Sequence, residues 1–131
     1  MEKYIKRDRY LQKLIDRMDN GEVKVITGPR RCGKSWLLSK IFRDYLISIG
    51  IDEENIIIVS LDLDDEEDFG DLTDRQMLKS YIYSRIKNDD KNYYVILDEI
   101  QEVEGFEKLV NGLNAKENID VYITGSNSHF L

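Results

Sequence analysis

Between Thr27 and Trp36 the chain reads Gly28-Pro29-Arg30-Arg31-Cys32-Gly33-Lys34-Ser35. Glycines at both ends of this segment let the backbone curl until successive amide hydrogens point inward, which makes a concave anion site. Lys34 adds a point charge suited to the outer phosphates of a triphosphate, and the Ser35 hydroxyl is a hard oxygen ligand for Mg²⁺. The spacing G-x-x-x-x-G-K-[ST] therefore predicts a loop that cradles the phosphates of ATP or ADP. Gly28, Pro29, Arg30, Arg31, Cys32, Gly33, Lys34, Ser35 and Trp36 are the expected nucleotide contacts. A plain glycine turn with a surface lysine would leave the fixed spacing unexplained.

A second constellation lies farther along. Leu97-Asp98-Glu99-Ile100-Gln101 follows the run Tyr93-Tyr94-Val95-Ile96. An apolar strand that ends in an acidic pair delivers both carboxylates to the C-terminal edge of a parallel sheet, where such sheets bind ligands. There Asp98 completes a Mg²⁺ shell with Ser35, and Glu99 polarises a water for in-line attack on the γ-phosphate. Alone, the pair would read as two solvated acids capping a strand. A third segment, Thr124-Gly125-Ser126-Asn127-Ser128, closes the last apolar run. A small polar side chain there suits a hydrogen bond to the γ-phosphate or to the attacking water, and spacing leaves Ser126 and Asn127 both open. The expected catalytic set is Lys34, Glu99 and one of these two, with Ser35 and Asp98 at the metal.

These groups need a frame. Val23-Lys24-Val25-Ile26-Thr27 is a β-branched run leading into the loop, and Trp36-Leu37-Leu38 opens a helix behind it. That helix carries Leu38, Ile41, Phe42, Tyr45, Leu46 and Ile49 at 3.6-residue spacing and stops at Gly50. Trp36 is expected to pack beneath the loop. Upstream, Tyr10, Leu11, Leu14, Ile15 and Met18 predict an amphipathic helix ended by Asn20-Gly21. Further strands are expected around 55–61, 93–97 and 120–124. Helices marked by Leu78, Tyr81, Ile82 and Ile86, and by Phe106, Leu109, Val110 and Leu113, fall between them. Alternation of this kind predicts an α/β fold, a three-layer αβα sandwich around a parallel sheet.

Bulk properties narrow the setting. A chain of 131 residues with 41% hydrophobic and 34% charged residues suits one globular domain, 1–131. No apolar stretch reaches the roughly 18 residues that span a bilayer. Met1-Glu2-Lys3-Tyr4-Ile5-Lys6-Arg7 lacks the apolar core of a signal peptide, and the single cysteine can form no internal disulfide, so a reducing cytoplasm is expected. The net charge of −7 is uneven: residues 1–51 carry twelve Lys/Arg against six Asp/Glu, residues 52–131 seven against twenty. The basic part holds the loop that must meet a polyphosphate. No broad basic face is present, which argues against nucleic acid as a partner. The acidic run from Asp62 to Asp71 lacks calcium-loop spacing and reads as a solvated face. Cys32 reads as a small residue filling a variable loop position, and His129 has no partner ligands at metal-binding spacing.

Taken together, the segments 28–35, 97–101 and 124–128 resemble the core of AAA+ ATPases, the P-loop NTPases whose Walker A, Walker B and sensor 1 motifs they match in turn. The match is nearest to a group of functionally uncharacterised bacterial and archaeal proteins in which an N-terminal AAA+ core precedes a domain similar to restriction endonucleases. The resemblance implies ATP with Mg²⁺ as ligand, a sheet order of 5-1-4-3-2, and an adenine pocket partly lined by the N-terminal segment around Arg9 and Tyr10. It also implies that Asp62, just past the second strand, could modulate Glu99.

Past sensor 1 the family continues into a fifth strand, an arginine finger and a helical lid. This sequence stops at Leu131, so it reads as an incomplete domain with slow turnover of its own, since an arginine finger contributes about a thousandfold or more in rate. The first strand should then be a sheet edge open to self-association. Two other functions fit parts of the pattern: a non-catalytic, nucleotide-gated interaction module and a P-loop kinase. The kinase lacks a basic acceptor-binding lid here.

Overall fold

The computed structural model describes residues 7–28, 33–61 and 71–126. In chain order the elements are α1 (Arg7–Asp16), β1 (Lys24–Thr27), α2 (Lys34–Trp36), a π-helical segment (Leu37–Phe42) and α3 (Arg43–Ser48). There follow a 3-10 turn (Glu53–Asn55), β2 (Ile56–Ser60), α4 (Arg75–Arg85), β3 (Tyr93–Asp98), a second 3-10 turn (Ile100–Glu102), α5 (Phe106–Asn114) and β4 (Ile119–Gly125). The four strands are parallel and ordered β1-β4-β3-β2. The fold is α/β, as the alternating pattern requires, and among the described residues β1 lies at the edge.

Strand register sorts the side chains into two layers. Lys24 pairs with Tyr122, Tyr122 with Ile96, and Ile96 with Ile58, so even-numbered residues share one face across the whole sheet. On that face Ile56, Tyr94, Ile96 and Tyr122 pack against Leu14 of α1 and against Leu37, Leu38, Phe42 and Leu46. The odd face, with Ile57, Val59, Val95, Leu97, Val121 and Ile123, packs against Leu78, Ile82, Leu109, Val110 and Leu113 of α4 and α5. Every residue of β3 and β4 is buried, which suits their largely apolar sequence; Asp98, Asp120 and Thr124 are the polar exceptions. Asp74 caps α4 by accepting a hydrogen bond from Met77 N at 3.0 Å.

Two expectations about the helix behind the loop need correction. Trp36 does not pack beneath the loop; it is 52% exposed. Ile49 is likewise 49% exposed, whereas the buried set is Leu37, Leu38, Phe42 and Leu46. The cause is the π-helical segment, whose wider turn shifts the buried face off the 3.6-residue spacing.

The underside of the even face carries a buried polar network that the sequence did not announce. Lys24 and Asp120 form an ion pair between β1 and β4, both side chains almost wholly buried. Asp120 Oδ2 also accepts from Tyr122 Oη at 2.6 Å and from Asp19 N at 2.8 Å, while Tyr94 Oη donates to Asp19 Oδ2 at 3.0 Å. Asp19 adopts a left-handed backbone (φ 55°), and these bonds tie the end of the N-terminal segment to the sheet. Burial first, then the nearby carboxylates, pushes both tyrosine hydroxyls well above the ordinary phenol range.

Candidate functional site

The C-terminal ends of β1, β3 and β4 converge. β1 runs into Gly28 with φ 152°, and Gly33 precedes α2 with φ 98° and ψ 4°, both backbone shapes that a Cβ would strain. The loop so bent returns Lys34 to its own start: Nζ donates to the Gly28 carbonyl at 2.9 Å. The same ammonium lies 3.6 Å from Glu99 Oε2, and both residues are 3% exposed.

Asp98 ends β3 on the even face, toward α2. Its two carboxylate oxygens take separate donors, Ser35 Oγ on Oδ2 and Thr124 Oγ1 on Oδ1, each at 2.5 Å. Thr124 Oγ1 in turn accepts from Glu99 N at 2.9 Å. Thr124 thus braces both acidic residues from the neighbouring strand. Sequence reading placed it in the third motif without giving it a task; strand register, which brings β4 beside β3, supplies one.

Glu99 leaves the strand in the left-handed region, φ 58° and ψ 52°, a conformation costly for a residue with a Cβ and typical of functional positions. That turn folds the 3-10 segment back, so that Gln101 Nε2 donates to Glu99 Oε1 at 2.6 Å. Ser126 Oγ donates to the same oxygen at 2.8 Å. Gln101 is the second participant that sequence reading passed over.

The predicted site residues divide as follows. Gly28, Gly33, Lys34, Ser35, Asp98, Glu99 and Ser126 come together at one sheet edge. Trp36 lies one residue beyond Ser35 with its ring exposed. Tyr10, 37% exposed on α1, has the Lys13 ammonium 5.3 Å above its ring, and Arg9 precedes it on the same exposed helix surface. Pro29, Arg30, Arg31, Cys32, Asn127, Asp62 and His129 fall outside the described residues. Of the pair left open at the third motif, Ser126 lies at Glu99, and Asn127 is outside the described residues, so both stay open.

A cation at this edge would find oxygen donors from Ser35 and Asp98. Among the described residues no cluster of three or more His, Cys, Asp or Glu could hold a metal alone. The donor set fits Mg²⁺, which favours one or two protein oxygens and takes its remaining ligands from phosphate and water.

A parallel sheet with a glycine-bounded loop after its edge strand and an acidic pair on β3 defines a nucleotide-binding module of the ATPase type. The chain belongs to the AAA domain family, whose pattern matches residues 20–131. It is 42% identical over 127 residues to an uncharacterized protein of Haemophilus influenzae, a match that spans 97% of this chain and 31% of that protein. The C. elegans PCH-2 structure superposes with a TM-score of 0.63 at 14% identity, over 98% of this chain and 39% of that one, and shares its fold. No helix among the described residues is long and apolar enough to cross a membrane.

Proposed function

We propose that this chain binds Mg-ATP through the loop Gly28 to Ser35 and belongs to a protein that hydrolyses it. The reading rests on the convergence of Lys34, Ser35, Asp98 and Glu99 through direct contacts at one buried sheet edge. Lys34 would leave Gly28 O and Glu99 to meet the β- and γ-phosphates. Ser35 and Asp98 would hold Mg²⁺, which supplies charge neutralisation at those phosphates when bound. Glu99 would orient a water and take its proton as the water oxygen attacks the γ-phosphorus and the bond to the bridging oxygen breaks, giving ADP and phosphate. Ser126, with Asn127 beside it, would sense the γ-phosphate.

In the same proposal, residues 1–131 form one domain of a cytoplasmic protein, and Arg9 and Tyr10 line the adenine side. Self-association would run through β1, the edge strand, where Val25 is 48% exposed.

Titrating Mg-ATP into the chain while following Trp36 fluorescence tests the binding step, with Lys34→Ala as the paired variant. Saturable binding lost in the variant is the expected result. Binding that survives in Lys34→Ala, or that is absent from both proteins, would overturn the assignment.

A further inference from the structure

We propose that Gln101 is the positioning residue for Glu99. The inference rests on the hydrolytic reading above and sharpens it.

Among the described residues, Lys34 near Oε2 and Ser126 and Gln101 on Oε1 face the Glu99 carboxylate. Two of them have other work once nucleotide arrives. Lys34 is the loop cation and turns to the phosphates. Ser126 sits at the end of β4, where a hydroxyl meets the γ-phosphate or the water. Gln101 is different in origin. It stands on the 3-10 turn after β3, two residues beyond Glu99, and a neutral amide there has no phosphate to serve. Of these three, Gln101 is the one that stays on the carboxylate when the other two are drawn to the ligand.

Two further observations single it out. The left-handed backbone at Glu99 is the feature that folds residue 101 back onto the carboxylate of residue 99, so local strain is spent on making this contact. The contact also uses only one end of the amide. Gln101 Oε1 is buried and finds no hydrogen-bond donor among the described residues. A glutamine kept for packing alone would not bury an unpartnered oxygen, because such groups are rare in folded proteins and mark functional places when they occur. The side chain is held where its amide nitrogen serves Glu99, at the expense of its oxygen.

The test uses Gln101→Met, close in shape and without the donor, with Gln101→Leu as a second variant, each alone and in a Glu99→Gln background. Two quantities are read: release of labelled γ-phosphate in single turnovers with protein in excess, and Mg-ATP affinity from Trp36 fluorescence. The expected result is a fall of about 10- to 100-fold in release, the range seen when a partner that orients a functional side chain is removed. Affinity should stay within about twofold of the unmodified chain, the range left to a residue that touches no phosphate. In the Glu99→Gln background neither substitution should slow release further, because a residue acting through Glu99 has nothing left to act on. Unchanged release in the single variants, affinity lost in step with rate, or an added loss on top of Glu99→Gln would each overturn the positioning role. Release undiminished in Glu99→Gln alone would overturn the hydrolytic reading itself, so the two failures are distinct.

Discussion

Lys34 Nζ stands 3.6 Å from Glu99 Oε2, with both side chains almost completely buried. The two opposite charges therefore neutralise one another across the site. Each buried charge is costly without a partner, so each ion holds the other in place. On the proposed reading, nucleotide binding would exchange this contact for two others, Lys34 to phosphate and Glu99 to water.

Glu99→Gln should separate these roles. The amide can still accept from Ser126 and face Lys34, but it cannot take a proton. Phosphate release is expected to fall about 10²- to 10⁴-fold, the usual contribution of a general base. Mg-ATP affinity, read from Trp36, should hold or rise, because Lys34 no longer leaves a charged partner behind.

Ser35→Ala removes an oxygen from the expected cation site while Asp98 keeps its bond from Thr124. ATP affinity measured in excess EDTA should change little. The gain in affinity on adding Mg²⁺ should shrink several-fold, and a full gain in the variant would remove Ser35 from the cation's ligands.

The Lys24–Asp120 pair offers a stability test away from the chemistry. Lys24→Met strands a buried carboxylate, although Tyr122 Oη and Asp19 N still donate to it. A loss of about 3 kcal/mol in urea denaturation is expected, near the low end for a broken buried pair. Adding Asp120→Leu should recover part of that loss, since no charge then remains to be compensated.

Alkaline pH should act through Tyr94 and Tyr122, whose hydroxyls burial pushes above their ordinary value of 10.0. The unfolded chain sheds these protons near that pH while the folded chain holds them, so the folded state binds more protons above it. Their contribution is complete below pH 10 and is lost as the pH rises further. Thermal melts across that range should fall, and Tyr122→Phe should fall less steeply from a lower starting stability.

The edge position of β1 gives a concentration test. No strand pairs with its outer side among the described residues, and with the exposed Val25 this favours pairing with another strand. Light scattering should show mass rising with protein concentration, and a constant monomer mass would exclude this route.

Much of the frame was legible because its signals are local. The β-branched and aromatic runs around 55–61, 93–97 and 120–124 read as buried strands, and β2, β3 and β4 lie there. Asp98 and Glu99 were legible because two acids closing a buried parallel strand must emerge at the edge where such sheets bind ligands. Thr124 and Gln101 were not, since each gains its role from a neighbour set by strand register or by a left-handed turn. Lys24 and Asp120 lie 96 positions apart and looked like isolated polar residues within strands until β1 and β4 were placed side by side. The exposure of Trp36 and Ile49 escaped because no residue type announces a π-helical turn.

That turn also bears on how the chain tolerates changes in length. A π-helical turn accommodates one residue more than an α-helix would use over the same stretch. Deleting one residue within Leu37–Phe42 would let the turn relax to α geometry, with Ser35 still against Asp98 and Leu46 still in the core. A deletion within Arg43–Leu46 has no such reserve and would swing the far end through about 100°, carrying Leu46 out of the core. The helix behind the glycine-bounded loop keeps one residue of slack, and keeps it within one turn of Ser35.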